Sequence, residues 1–268
     1  MSFRKFTVLF LLLTLVFLSF ASCSKKDEGE HEESIEPPVS KPCVITVDVE
    51  LECAEESMAE VFNQLERNDT VIYLKDGDYR AENEQALSIS GVDSTFRSVY
   101  VLVGDTLYVD MTHTYDGLTN AFKNKGAFSE ENADKLLFDL CIFGNVKTSE
   151  FADSTTEEKD GLTLTAYTSP SLDGRIALEK AMIALLEGAG TNVNAKAAVM
   201  TLGMKDGEYQ SAVLYCEYEI VISEKLCPVS MTVNLTFNYS ESFDITVPED
   251  VNSYNDADMS IYIEAPEE

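Results

Sequence analysis

The chain predicts an α+β fold, mainly β: one large curved antiparallel sheet, a half-barrel of about 8 to 11 strands, with about three helices covering its concave face. Three observations carry this expectation. Long stretches alternate strictly between apolar and polar residues, Asp-Gly and Gly-Asp pairs separate them, and only three segments shift to helical spacing. Strict alternation puts one face in a core and the other in water, which antiparallel sheets allow.

The first strand is CVITVDVELEC, 43–53, with Cys43, Ile45, Val47, Val49, Leu51 and Cys53 on one face and Thr46, Asp48, Glu50 and Glu52 opposite. EESMAEVFNQLER, 55–67, then lines up Met58, Val61, Phe62 and Leu65 as one side of a helix. Shorter alternations at 97–103 and 106–112 flank Gly104-Asp105. A second helix is expected over 129–143, capped by Ser129, with acids in its first turn and Ala133, Leu136, Leu137, Leu140 and Cys141 on one face. Strand 161–168 leads into a third helix, 171–190, capped by Ser171 or Asp173 and closed by Gly188. Its stretch from Ile176 to Leu186 is apolar over much of its circumference, which predicts deep cover. Strands 192–204, 211–222, 229–240 and 243–247 complete the pattern. Asp76-Gly77, Asp160-Gly161 and Asp206-Gly207, each after a lysine, suit two-residue hairpin turns because both positions tolerate positive φ.

Ahead of this domain, residues 1–22 form a leader. Arg4 and Lys5 precede an apolar run, Phe6 to Phe20, too short to span a bilayer comfortably, and small residues follow at Ala21 and Ser22. They run directly into Cys23, so the segment resembles the lipobox of bacterial lipoproteins. That resemblance implies removal of 1–22 and a diacylglycerol thioether on Cys23. Acyl chains contribute about 0.8 kcal/mol per buried methylene, and several together anchor a protein stably. Residues 24–42 are charged, proline-bearing and almost free of large apolar side chains, which suits a disordered acidic stalk. The expected organisation is leader 1–22, lipidated cysteine and stalk 23–42, one β-rich domain 43–256 and a tail 257–268.

Charge narrows the partners. Removal of 1–22 takes two bases and no acid, so 17 bases face 48 acids, a net charge of −31. Such a field repels nucleic acid and anionic lipid surfaces. The expected partners are a membrane, through the anchor, and a lipid or other hydrophobic ligand; the domain is expected to be a monomer. The expected location is the bacterial cell envelope, on the outer face of the cytoplasmic membrane, or the outer membrane or cell surface in a two-membrane host. Besides Cys23 there are Cys43, Cys53, Cys141, Cys216 and Cys227, an odd number with no zinc-type spacing. Cys43 and Cys53 sit at opposite ends of one strand, about 33 Å apart, and cannot bridge.

No catalyst or cofactor site is legible. His31 begins a broken H-E-x-x-H pattern in the stalk, and His113 has Asp110 and Asp116 nearby in sequence but reads as a solvated hairpin residue. Nucleophile-elbow, P-loop and dinucleotide glycine patterns are missing. The chain therefore reads as non-enzymatic.

The layout of lipobox, acidic stalk, long meander, mid-chain helices and late strands resembles the lipoprotein-carrier superfamily, which includes LolA and the LppX/LprG-type lipoproteins. SVYVLVGDTLYVDM, 98–111, is similar to their central tyrosine–turn–tyrosine hairpin, and FDITVPEDVNSYND, 243–256, to their closing strand and tail. The chain departs from the LppX type in opening with a strand. The resemblance implies a half-barrel whose cavity holds acyl chains, and no catalytic residues. On that reading the inward positions of the two late strands, Leu214, Tyr218, Ile220, Met231, Val233, Leu235 and Phe237, are candidate ligand-lining residues, or else ordinary core. The alternative is a surface module for protein or glycan adhesion whose core is filled by its own helices.

Overall fold

The computed structural model describes residues 42–63, 67–89, 92–141, 146–186, 192–222, 225–239 and 242–262. The leader, Cys23 and stalk residues 24–41 lie outside them, as do residues 64–66, 142–143 and 187–190 of the expected helices, whereas Arg67, expected to end the first helix, opens a strand.

The elements run β1 (Cys43–Cys53), α1 (Glu56–Asn63), β2 (Arg67–Lys75), β3 (Asp78–Ile89), β4 (Val92–Val103), β5 (Thr106–Tyr115), β6 (Leu118–Ala127), α2 (Glu130–Leu140), β7 (Phe151–Lys159), β8 (Leu162–Pro170), α3 (Leu172–Leu185), β9 (Asn192–Lys205), β10 (Glu208–Ile222), β11 (Lys225–Asn238) and β12 (Asn255–Asp256). The strands make one open, curved sheet in the order β12-β6-β5-β4-β3-β2-β1-β11-β10-β9-β8-β7. The fold is α+β, mainly β, with three α-helices among the described residues. The strand number exceeds the expected range by one because the two-residue β12 adds to the edge of β6, in parallel.

Hairpin chemistry sets the meander. Asp76-Gly77, Asp160-Gly161 and Asp206-Gly207 all have positive φ at both residues, as does Asp116-Gly117 between β5 and β6. That backbone matches the right-handed twist of the flanking strands. Alternation then sorts the faces. In β1, Ile45, Val47, Val49 and Leu51 are buried, and they lie opposite Phe237, Leu235, Val233 and Met231 of β11. The rows continue into β10 and β9, where Val233 meets Leu214 and Leu214 meets Met200.

All three helices contribute to the core on this inner face. Phe62 of α1 is wholly buried. α2 starts at the expected Ser129 cap, whose hydroxyl accepts from the Asn132 N–H at 3.3 Å, and it buries Ala133, Leu136, Leu137 and Cys141. α3 is capped by Ser171, whose hydroxyl accepts from the Gly174 N–H at 3.2 Å. It buries Ala177, Leu178, Ala181, Met182 and Leu185 but leaves Leu172, Ile176 and Ile183 exposed. The expected deep cover of this helix is thus corrected: the sheet shields one side, and the other faces outward.

The C-terminal segment also differs from expectation. Residues 243–247 are extended but pair with no strand. They pass over the outer face as a strap, held by Phe243 against Tyr73 at 5.4 Å between ring centroids and by Asp244 bonded to Lys75 at 2.6 Å. Tyr254 packs on Tyr108, with Val99 and Val101 beneath, and Lys123 bridges Asp250 and Asp110 at 2.7 and 3.0 Å. The chain then rounds the β6 edge. The Ala257 N–H donates to the Lys125 carbonyl at 2.9 Å, Met259 is buried in the inner core, and Tyr262 packs on Tyr100. Residues 257–262, placed in the tail by sequence, are folded onto the domain.

Candidate functional site

β10 and β11 present Leu214, Tyr218, Ile220, Met231, Val233, Leu235 and Phe237 to the inner face, as their alternation dictates. All seven are buried, none more than 6% exposed. α3 lies over this half of the sheet. The Tyr218 hydroxyl donates to the Leu178 carbonyl at 3.1 Å, and the Ala195 N–H donates to the Glu179 carboxylate at 3.0 Å. Leu178 and Met182 are wholly buried beside them. All seven belong to one buried core with Leu178 and Met182 of α3. Phe237 also reaches a surface hollow, of about 560 Å³, shared with Lys205, Glu208 and Tyr239.

The inner face behaves differently at the other end. In β4, β5 and β6 the register sets Ser98 beside Met111 and Phe122, then Phe96 beside His113 and Asn120, then Ser94 beside Tyr115 and Leu118. Outward along these rows cover is lost: Met111 is 9% exposed, Phe122 44%, Tyr115 53% and Leu118 73%. Phe96 meets the His113 ring at 6.3 Å, and His113 meets Tyr115 at 6.4 Å. The result is an apolar, aromatic shelf continuous with the core and open to solvent. Sequence reasoning missed it. Its one available sign was Asp116-Gly117, which places a hairpin between Tyr115 and Leu118 and so brings the two side by side.

Among the described residues His113 has no carboxylate partner. Its Nε2 lies 2.9 Å from the Ser94 hydroxyl, while Asp110, on the opposite face of β5, binds Lys123. Among the described residues no group of three His, Cys, Asp or Glu side chains is arranged to hold a metal ion. The five described cysteines are free thiols. Burial pushes the Cys43 thiol up to about 11 and those of Cys141 and Cys216 up to about 12, which disfavours the nucleophilic thiolate. Of the five, only Cys53 is part-exposed. Iodoacetamide at pH 8 is therefore expected to modify Cys53 in the native domain and the other four only in urea, read by peptide mass mapping. No helix of the described residues is long and apolar enough to cross a membrane.

No family model matches the chain. No curated protein matches it either. Among solved structures it is similar to an N-terminal dehydratase from the difficidin assembly line, at 8% identity over 73% of this chain and 78% of that one, with a TM-score of 0.14. The dehydratase domain from the CurK module of curacin polyketide synthase gives 9% identity over 75% and 78%, with a TM-score of 0.13. The corresponding CurF domain gives 10% over 75% and 77%, with a TM-score of 0.12. Scores this low mean that the aligned chains do not superpose, so neither the fold nor an activity transfers from these enzymes.

Proposed function

We propose that this chain is a non-enzymatic, lipid-anchored binding protein of the bacterial envelope, tethered through Cys23, that receives an apolar group on the β4–β6 shelf. The observation that carries the reading is the loss of cover from Met111 to Leu118 along rows that begin in the core. An apolar ligand laid there extends the core outward and takes exposed Phe122, Tyr115 and Leu118 out of water, at about 25 cal/mol per Å² buried. Large apolar side chains grouped in the open mark interaction sites in soluble proteins. The β4–β6 shelf is preferred to the β10–β11 residues because its apolar side chains are exposed, whereas those of β10 and β11 are buried, with Tyr218 bonded to α3.

Native mass spectrometry after gentle extraction tests this. The wild-type protein is expected to carry a lipid-sized adduct, and Leu118→Glu with Phe122→Glu to lose at least nine-tenths of it at unchanged Tm. An adduct that survives both substitutions, or none in the wild type, defeats the reading. Cys23→Ala is expected to move the protein from the membrane to the soluble fraction.

A second reading, a surface module with a self-filled core, draws on the outward stripe of α3, where Leu172, Ile176 and Ile183 are exposed. Under that reading a protein or glycan partner is lost with Ile176→Glu and kept with Leu118→Glu.

A further inference from the structure

The open sheet has two edges, and the sequence treats them differently. One edge is β7, FADSTTEEK, which carries Asp153, Glu157, Glu158 and Lys159. Charges spaced along an edge discourage another strand from adding to it. The other edge is β6, where β12 covers only Asn124 and Lys125. Beyond that cover lie residues 118–122, LTNAF, with no charge and no proline, in unbroken register with β5. All five are exposed, and among the described residues β5 is their only strand partner. A chain with 48 acidic side chains places none in this stretch.

Bonds further along the strand fix its backbone directions. The Lys125 carbonyl accepts from the Ala257 N–H at 2.9 Å, and the Lys123 carbonyl from the Asn255 side-chain amide at 3.4 Å, so both point away from β5. The Phe128 N–H instead donates to the Asp105 carbonyl, on the β5 side, at 2.8 Å. Successive residues of a strand alternate in direction. Thr119 and Ala121 therefore turn their N–H and C=O groups to the open edge, while Leu118, Asn120 and Phe122 turn theirs to β5. This edge is a row of free backbone groups beside exposed apolar side chains.

We propose that a second copy of this chain pairs with it, β6 against β6, antiparallel about a two-fold axis at Asn120. A strand that meets its own copy antiparallel is self-complementary, as a two-fold contact requires. Bonds form only between edge-facing residues, and of the registers that allow this one sets Leu118 of each copy against Phe122 of the other. Thr119 then bonds with Ala121. Lys123 comes beside the Asp116-Gly117 turn of the other copy, which puts opposite charges together at both ends of the ladder. The ladder ends at Lys123, where Asn255 already takes the edge. Acids elsewhere on the chain repel a second copy, and an acid-free edge is where that repulsion is least. The pairing departs from the monomer expected from sequence, and it does not depend on what the shelf receives.

A ladder this short buries less than a permanent dimer needs, so a covalent trap is the suitable test. The two Asn120 residues form a non-hydrogen-bonded pair with Cα atoms about 4.5 Å apart, within the span of a disulfide. The full chain carrying Asn120→Cys, oxidised after gentle extraction, is expected to form a cross-linked dimer. The parent chain, and Thr155→Cys on the charged β7 edge, are expected to form about ten-fold less. Ala121→Pro removes one edge-facing N–H and spares the bonds to β5, so the domain stays folded by Tm while the Asn120→Cys cross-link falls about ten-fold. Ala121→Lys brings like charges together across the axis and is expected to do the same. Neither change touches Leu118 or Phe122, so loss of the pair and loss of a lipid adduct are read separately. A cross-link that persists in either folded variant, that only equals the Thr155→Cys level, or that joins position 120 to a different protein and not to itself overturns the assignment.

Discussion

Gly126→Ala is expected to destabilise the domain by about 3 kcal/mol and to release everything after Asp256. A β-carbon at this position falls on the Ala257 carbonyl oxygen and comes within 2.9 Å of Met259 Cγ. The first obstacle is backbone, which cannot swing aside as a flexible side chain can. The chain leaving β12 must then abandon its path round the β6 edge. Met259, 1% exposed, leaves the core, and Tyr262 leaves Tyr100 and the Asn124 side-chain amide that bonds its hydroxyl at 3.0 Å. Truncation after Asp256 should reproduce the loss in urea denaturation, and carboxypeptidase should trim the variant faster than the parent. A variant as stable and as resistant as the parent would show that the chain does not turn at Gly126.

Phe62→Ala is expected to cost about 3 to 4 kcal/mol, the usual range for emptying a buried aromatic site. α1 is eight residues long, and helices of that length do not persist in water without tertiary contacts. Phe62 is wholly buried against the inner face, while Met58 is only partly covered. Removal of the ring should shift the urea midpoint and free the amides of 56–63 to exchange. Leu172→Ala, on the exposed flank of α3, also removes apolar side-chain carbons but from a solvent-facing position, and is expected to change stability by less than about 0.5 kcal/mol. Equal losses from the two substitutions would contradict the burial that separates them.

The elements that sequence located well are those with one side in the core and one in water. β1 spans 43–53 as expected, β10 starts a few residues before its expected run, and β11 starts before its expected run and stops at Asn238, short of the expected 240. Strands without that contrast escaped. β7, FADSTTEEK, buries only Phe151, and the outer half of β6 is exposed on both faces, so neither has an apolar period to read. β3 places Asn83 on the inner face, where its side chain accepts from the Thr70 hydroxyl at 2.9 Å; a polar pair inside breaks the alternation that marks a strand. The opposite error arose at 243–247. Phe243 and Ile245 alternate like a strand, but they do so to pack on the outside of the sheet, and periodicity records burial without recording pairing. The candidate site divides the same way. Inward direction of the β10 and β11 residues was legible, whereas their cover by α3 depends on a contact from Leu178 to Tyr218, which no local pattern encodes.

The place of β1 in the sheet has a mechanical consequence. This first strand lies between β2 and β11, with six strands on one side and five on the other. Its ladder to β11 runs from Val44 to Cys53, and its ladder to β2 from Cys43 to Val49. A pull along the axis of β1 loads the bonds on both flanks together, and they must shear as a set. A domain entered by an edge strand would peel open one rung at a time. Entry through the middle lets this one withstand tension at the very end from which a tether would drag it.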